Sequence, residues 1–163
     1  MRPLMRLMPT LLKPEYVLLD LDARSKDALF AEIANRIADA LNLSPKDIAK
    51  SLIKREQLGS TGLGQGVAIP HGRIKQLKQA AGVFVRTLTA VPFEAPDNEP
   101  VRLLFVLLVP EHATDLHLQI LSELAQLFSD RSLRERLLNT TDVHQVIHLL
   151  AGPDDTDLRT APG

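Results

Sequence analysis

Residues 55–73, REQLGSTGLGQGVAIPHGR, combine an Arg-Glu pair, four glycines within eight positions and a histidine set between proline and glycine. Each part has a chemical use. A neutral imidazole is a nucleophile near pH 7. A phosphoryl group carried on its nitrogen is held by a reactive N–P bond and leaves again. Such transfer depends on positioning and on neutralising spread-out negative charge. Pro70 fixes the backbone before His71, so the ring is aimed. Gly72 removes a side chain beside it. Arg55 offers a planar, permanently charged partner for phosphate. Gly62, Gly64 and Gly66 let backbone N–H groups turn inward as an anion nest.

Other readings of the segment fail on spacing. A nucleotide P-loop needs Gly-Lys-Ser/Thr, which does not occur. The Gly62-x-Gly64-x-Gly66 spacing leads into a strand, whereas a dinucleotide fingerprint opens a helix. Taken alone, a glycine-rich loop followed by histidine is a turn more often than a site. His117 lies at i, i+4, i+7 spacing with Leu121 and Leu124, on the core side of a helix; by itself it reads as a partly buried, satisfied histidine. By itself Arg55 reads as a surface helix charge. His144 and His148 share a helix face at i, i+4, but no third metal ligand accompanies them, so that face is read as solvated. His112 sits in a turn and receives no role.

The elements that must position these groups are legible in outline. Val17–Leu19 is a short apolar segment, an edge-strand candidate. Ser25 opens a helix on which Leu29, Ile33, Ile37 and Leu41 recur every four residues, with Asn42 as its stop. Ser44-Pro45 starts a second helix, with Asp47 near its positive end, running to about Gln57. The glycine-rich stretch 59–66 is expected to be a loop, 67–69 a short strand, and Pro70-His71-Gly72 its abrupt end. Residues 82–88 are a strand and 92–100 a turn-rich connection. Val101–Val109 is a continuous apolar run, expected to be a central strand buried on both faces. Thr114 caps a helix with an Ile120, Leu121, Leu124, Leu127, Phe128 stripe. Helices at 132–138 and 142–150 follow, the latter ending at Gly152-Pro153. Helices bracketing short strands imply an α/β fold: a mixed β-sheet flanked by helices on both faces, in three layers.

Bulk composition narrows the function. With 163 residues the chain suits one domain. Its net charge of −1 favours neither nucleic acid nor a membrane surface as partner. It has no cysteine, which excludes disulfides and thiolate chemistry and fits a cytoplasmic location. The longest apolar run is far short of the ~20 residues of a membrane span. Residues 1–13 carry positive charges and apolar residues, but Arg6 and Pro9 interrupt any signal-peptide core; they are expected to be a flexible extension. The domain is expected over 14–152, and the polar tail 153–163 is expected to be disordered.

The whole 55–73 stretch resembles the motif of phosphotransferase-system IIA proteins of the mannitol/fructose and nitrogen-regulatory type. The residues that carry the resemblance are Arg55-Glu56, Thr61-Gly62, Gly64, Gly66 and Ala68-Ile69-Pro70-His71-Gly72. Residues 14–34 and 92–125 resemble the opening and the central strand and helix of the nitrogen-regulatory members. The resemblance implies that His71 accepts the phosphoryl group through Nε2. It implies that His117, in an H-L-x-x-L pattern, lies beside it and that Arg55 stabilises phosphate. Glu56 would orient Arg55 or His71, or remain an exposed helix acid. Thr61 would bond phosphate or cap the loop. Arg73 is expected to meet solvent or an acidic partner. The implied relay runs from phosphoenolpyruvate through a dedicated enzyme I and an HPr-like phosphocarrier to His71. Phosphorylation then governs binding to targets such as potassium-transport proteins and sensor kinases, with no metal and no cofactor. Two other readings stand beside this: a sugar-transport IIA passing phosphate to a IIB cysteine, and a non-catalytic interaction module.

Overall fold

The structure is a computed structural model that describes residues 3–113 and 115–151. Its centre is the apolar run foreseen above. Strand β6 (Val101–Pro110) is buried at every residue from Leu103 to Val109. On one side it pairs antiparallel with β5 (Ala81–Val91), which pairs parallel with the edge strand β1 (Val17–Leu21). On its other side lie two short strands in succession, β3 (Val67–Ala68) against Leu103–Leu104 and β4 (His71–Ile74) against Leu107–Pro110. Both run parallel to β6. Strand β2 (Gly62–Gly64) completes the mixed six-stranded sheet by pairing antiparallel with β3.

Helices cover both faces. Helix α2 (Lys26–Leu41) is capped by Ser25, whose side chain accepts from Ala28 N, and stops at Asn42 in a left-handed conformation (φ 56°). It packs on α3 (Pro45–Glu56), which lies against β4. The other group is α1 (Pro3–Leu11), α4 (Leu116–Phe128), α5 (Arg131–Asn139) and α6 (Val143–Ala151). The α4 stripe is narrower than expected: Ile120, Leu124 and Phe128 are buried, Leu121 and Leu127 only partly. Thr114 and Gly152-Pro153, expected as helix punctuation, and the tail 153–163 lie outside the described residues. Among the described residues no helix is long and apolar enough to cross a membrane.

The buried guanidinium of Arg86 ties the far edge together. It donates to the Asp20 carboxylate and to the carbonyl oxygens of Leu137 and Thr140, so strands β1 and β5 are locked to the end of α5. These partners satisfy a charge that would otherwise be costly to bury. The bond to Arg86 also holds the Asp20 carboxyl below its ordinary range.

Three local expectations are corrected. Residues 59–66 are not all loop: Gln65 and Gly66 (φ 58° and 80°) form the two-residue turn of a hairpin joining β2 to β3. Positive φ at both positions suits this connection to the twist of the strands. Pro70-His71-Gly72 does not end the strand region. The ladder breaks at Ile69-Pro70 and resumes as β4 with His71 as its first residue. Within the segment expected to be a flexible extension, Pro3–Leu11 form helix α1. Leu4, Met8, Leu11 and Leu12 are buried in the common core, and Leu4 N donates to Glu123 of α4 (2.8 Å). Apolar burial outweighs the penalty of Pro9 inside the helix. Met8 is wholly buried, so Met8→Ala is expected to lower unfolding free energy by about 2–4 kcal/mol in urea titration. A flexible extension would give no change.

Candidate functional site

The site forms where β4, the last turns of α3 and the first turn of α4 meet. A groove of about 620 Å³ opens there, lined by His71, Arg55, Arg73, His117 and the Leu107 and Val109 side chains of β6, among others. Close approach of α3 to β4 makes the arrangement possible. A Cβ on Gly72 would lie 2.2 Å from Ser51 Oγ and 3.3 Å from the Ser51 carbonyl carbon. A larger residue would force Ser51 to shift and give up the bond its Oγ donates to the Arg73 carbonyl (2.9 Å). One helical turn beyond Ser51, Arg55 is thereby delivered to the ring of His71.

Both ring nitrogens of His71 are engaged. Nδ1 lies 3.1 Å from the carbonyl of Ile69, and Arg55 Nε donates to Nε2 at 3.2 Å. A carbonyl only accepts and a guanidinium only donates. The pair therefore specifies one tautomer: a proton on Nδ1 and a lone pair on Nε2. Burial is the first cause that holds the ring's pKa below the ordinary 6.5; the Arg55 and His117 charges add to it, while the Ile69 carbonyl and Glu56 oppose. The ring is neutral at physiological pH, with the Nε2 lone pair held against a fixed cation at the edge of the groove.

The remaining residues divide. Arg55 NH1 donates to the Gly59 carbonyl (2.9 Å), which fixes the guanidinium plane. His117, partly exposed, faces the groove from α4, with Nε2 3.5 Å from an Arg73 guanidinium nitrogen. Arg73 also donates to the Glu111 carbonyl (3.1 Å), so it joins β4 to the loop before α4. Sequence reasoning assigned Arg73 to solvent or a partner; the basic residue directly after Pro-His-Gly was the available signal. Lys50, Lys54 and Lys75 add positive charge to the rim, with Asp47 as its one acid among the lining residues.

The other expected pocket residues lie behind the groove. Of Glu56, Thr61, Gly62, Gly64, Gly66, Pro70 and Gly72, only Gly72 lines it. The anion nest expected of the glycines is replaced by the hairpin. At Gly64 (φ 94°) an added Cβ would meet the Asp97 carboxylate at 3.1 Å, and Asp97 accepts from Gln65 N (2.7 Å). Glu56 and Thr61 are buried against each other, with Thr61 Oγ1 donating to Glu56 Oε1 (2.6 Å). Pro70 is buried and its carbonyl accepts from Leu107 N (2.9 Å), which bridges the gap between β3 and β4. His112, His144 and His148 stand on exposed positions outside the groove. Among the described residues no cluster of three His, Cys, Asp or Glu is arranged to hold a metal.

The sequence matches the family described as "Phosphoenolpyruvate-dependent sugar phosphotransferase system, EIIA 2" over residues 10–152. A nitrogen regulatory protein of Bradyrhizobium diazoefficiens is 36% identical over 146 residues, covering 90% of this chain and 95% of that protein. The crystal structure of nitrogen regulatory protein IIA-Ntr from Neisseria meningitidis superposes with a TM-score of 0.84 at 47% identity, covering 88% of this chain and 99% of that one. That of IIA mannitol from Escherichia coli gives 0.72 at 26% identity, covering 85% and 98%. The chain therefore belongs to the EIIA 2 family of the phosphoenolpyruvate-dependent sugar phosphotransferase system, where it resembles the nitrogen-regulatory members.

Proposed function

We propose that the chain is a regulatory phosphocarrier that accepts a phosphoryl group on His71 Nε2 from an HPr-like carrier, itself charged by a nitrogen-type enzyme I. The observation that carries this reading is the doubly anchored, neutral ring of His71 beside Arg55. Nε2 attacks phosphorus with its lone pair. The bond from phosphorus to the donor breaks, and its electron pair returns to the donor. The proton on Nδ1 stays, and the Ile69 carbonyl shares the positive charge the ring acquires. That charge also makes the ring a good leaving group for onward transfer.

The roles of the other side chains follow from charge. In the free protein Arg55 occupies the Nε2 lone pair. As the N–P bond forms, that lone pair is consumed, and the guanidinium is released to bind phosphoryl oxygens. Arg73 and His117 provide a second set of donors on the opposite side. Thr61, Gly62, Gly64, Gly66, Glu56, Pro70 and Gly72 act by holding the backbone, not by touching phosphate. The product adds about 1.5–2 negative charges to a cationic rim, enough to make or break contact with a target. Targets such as potassium-transport proteins or sensor kinases, a cytoplasmic location, and the absence of metal or cofactor belong to this same reading.

A sugar-transport role is the second reading, favoured by the likeness to IIA mannitol. The chemistry at His71 would be unchanged, but the group would pass to a IIB cysteine. Incubation with phosphoenolpyruvate and a nitrogen-type enzyme I and carrier, in parallel with a sugar-type set, separates them. Intact mass should show one acid-labile phosphate from the nitrogen-type set and none in His71→Ala. Preferential labelling by the sugar-type set, with onward transfer to IIB, would favour the second reading; no labelling by either would refute both. Arg55→Ala should slow labelling at saturating donor by about 10²–10³-fold.

The ring's lowered pKa adds a pH prediction. Between 6.5 and the lower folded value, the unfolded chain binds the His71 proton and the native state does not. This contribution to stability is thus complete above that window and declines as pH falls through it. NMR titration should find the His71 midpoint below 6.5. Arg55→Ala should move it upward, because a cation that disfavours protonation is removed.

A further inference from the structure

The residue next to Arg55 in sequence points the opposite way and is buried. The Glu56 side chain is 6% exposed, yet both its oxygens are satisfied. Oε2 accepts from Lys26 Nζ and from Thr61 N, each at 2.9 Å, and Oε1 accepts from Thr61 Oγ1 at 2.6 Å. Lys26 is the first residue of α2, and its ammonium also lies 4.9 Å from the ring centroid of Phe93. The groove never touches Lys26.

Two chains of bonds run from Glu56 to the site, one from its main-chain carbonyl and one from its carboxylate. In the first, Gly59 N donates to the Glu56 carbonyl (3.1 Å), and the Gly59 carbonyl accepts from Arg55 NH1 (2.9 Å). In the second, Thr61 is held by the carboxylate, the Thr61 carbonyl accepts from Ile69 N (3.0 Å), and the Ile69 carbonyl anchors His71 Nδ1. The two groups that meet at Nε2 are thus tied to one residue, Arg55 through its main chain and His71 through its carboxylate and Thr61, and both routes pass through the 57–61 loop. The intervening loop has little packing of its own. Gln57, Leu58 and Gly59 are exposed, with nothing within 4 Å of a Cβ built on Gly59. Ser60 is its other anchor, donating to the carbonyl of Phe93, whose ring lies under Lys26.

We propose that Lys26 is a positioning residue for phosphoryl transfer, acting through the Glu56 carboxylate to hold the 57–61 loop and so keep Arg55 and His71 in register. This rests on His71 being the acceptor, as proposed above. The reason is electrostatic. A buried carboxylate stays in place only while its charge is matched. Beside it lies a polar cavity of about 510 Å³ lined by Arg24, Ser25, Gln57 and Ser60 among others. Without the Lys26 ammonium, the carboxylate is expected to turn toward this cavity and water, releasing Thr61. Helices α2 and α3 would stay packed through Phe30, Ile33, Ile48 and Leu52, which are wholly or almost wholly buried.

The test uses Lys26→Met, Lys26→Arg and the double variant Lys26→Met/Glu56→Gln, which leaves no buried charge unmatched. The first readout needs no donor: hydrogen exchange of Arg55 Nε–H, which the bond to His71 Nε2 protects. It is expected to speed by about tenfold in Lys26→Met and to return toward the parent rate in Lys26→Arg. In transfer assays the saturating rate should fall by about tenfold with the half-saturating donor concentration unchanged, since the docking face is intact. The double variant, in which no charge draws residue 56 toward water and an amide oxygen can still accept from Thr61, should recover part of both losses. Parent-like exchange and parent-like saturating rate in folded Lys26→Met, or losses in the folded double variant as large as those of Lys26→Met, would overturn the proposal. If the parent protein itself accepts no phosphoryl group, the acceptor reading fails, while the exchange measurement still decides whether Lys26 positions Arg55.

Discussion

The outer edge of β6 is covered by two short strands in place of one, and the site depends on the break between them. Val67–Ala68 pairs with the first half of β6 and His71–Ile74 with the second. In the gap, Pro70 has no N–H to offer, and its carbonyl accepts from Leu107. Ile69 is left with a carbonyl outside the ladder, 3.1 Å from His71 Nδ1. The Ile69 N–H donates to Thr61, on the side away from β6, so this carbonyl has no partner in the ladder with β6. That carbonyl is the acceptor that sets the tautomer, while the pairing of His71 with Leu107 keeps the backbone rigid.

Around this fixed ring the electrostatics are arranged for a group that arrives carrying negative charge. Arg55 and Arg73 approach from different elements, α3 and β4, and both guanidinium groups are braced on backbone carbonyls. Bracing matters because a guanidinium free to rotate would have to be ordered during the reaction. Burial and the neighbouring cations keep the imidazole uncharged before transfer. Under the proposed function the same cations would face a phosphoryl group after transfer.

Much of the architecture was legible in the sequence because it follows from local chemistry. The unbroken apolar run of 101–109 marked the central strand, and Ser25 and Asn42 marked the ends of α2. The fixed ring of His71 was legible too, since proline and glycine on either side of a histidine restrict it in any fold. The convergence of Arg55 and His117 on His71 was not legible from spacing. Helical periodicity placed His117 on the core side of α4, and only the family resemblance brought it to the acceptor. The roles of Lys26 and Arg73 depend on contacts between elements far apart in sequence, which no local pattern encodes. The glycines misled for a related reason: positive φ serves a hairpin turn as readily as an anion nest, and residues alone do not distinguish them. Helix α1 was hidden because a nine-residue segment containing proline has little helical stability of its own; its burial against α4, β5 and α6 makes it an element.

The central claim is that anchoring Nδ1 on the Ile69 carbonyl leaves Nε2 as the acceptor atom. Long-range ¹H–¹⁵N correlation spectra of the phosphorylated, ¹⁵N-labelled protein test this directly, because the two ring nitrogens respond differently to a bonded phosphorus. The account predicts phosphate on Nε2 of His71 with the proton retained on Nδ1. Phosphate on Nδ1, or on any residue other than His71, would contradict it.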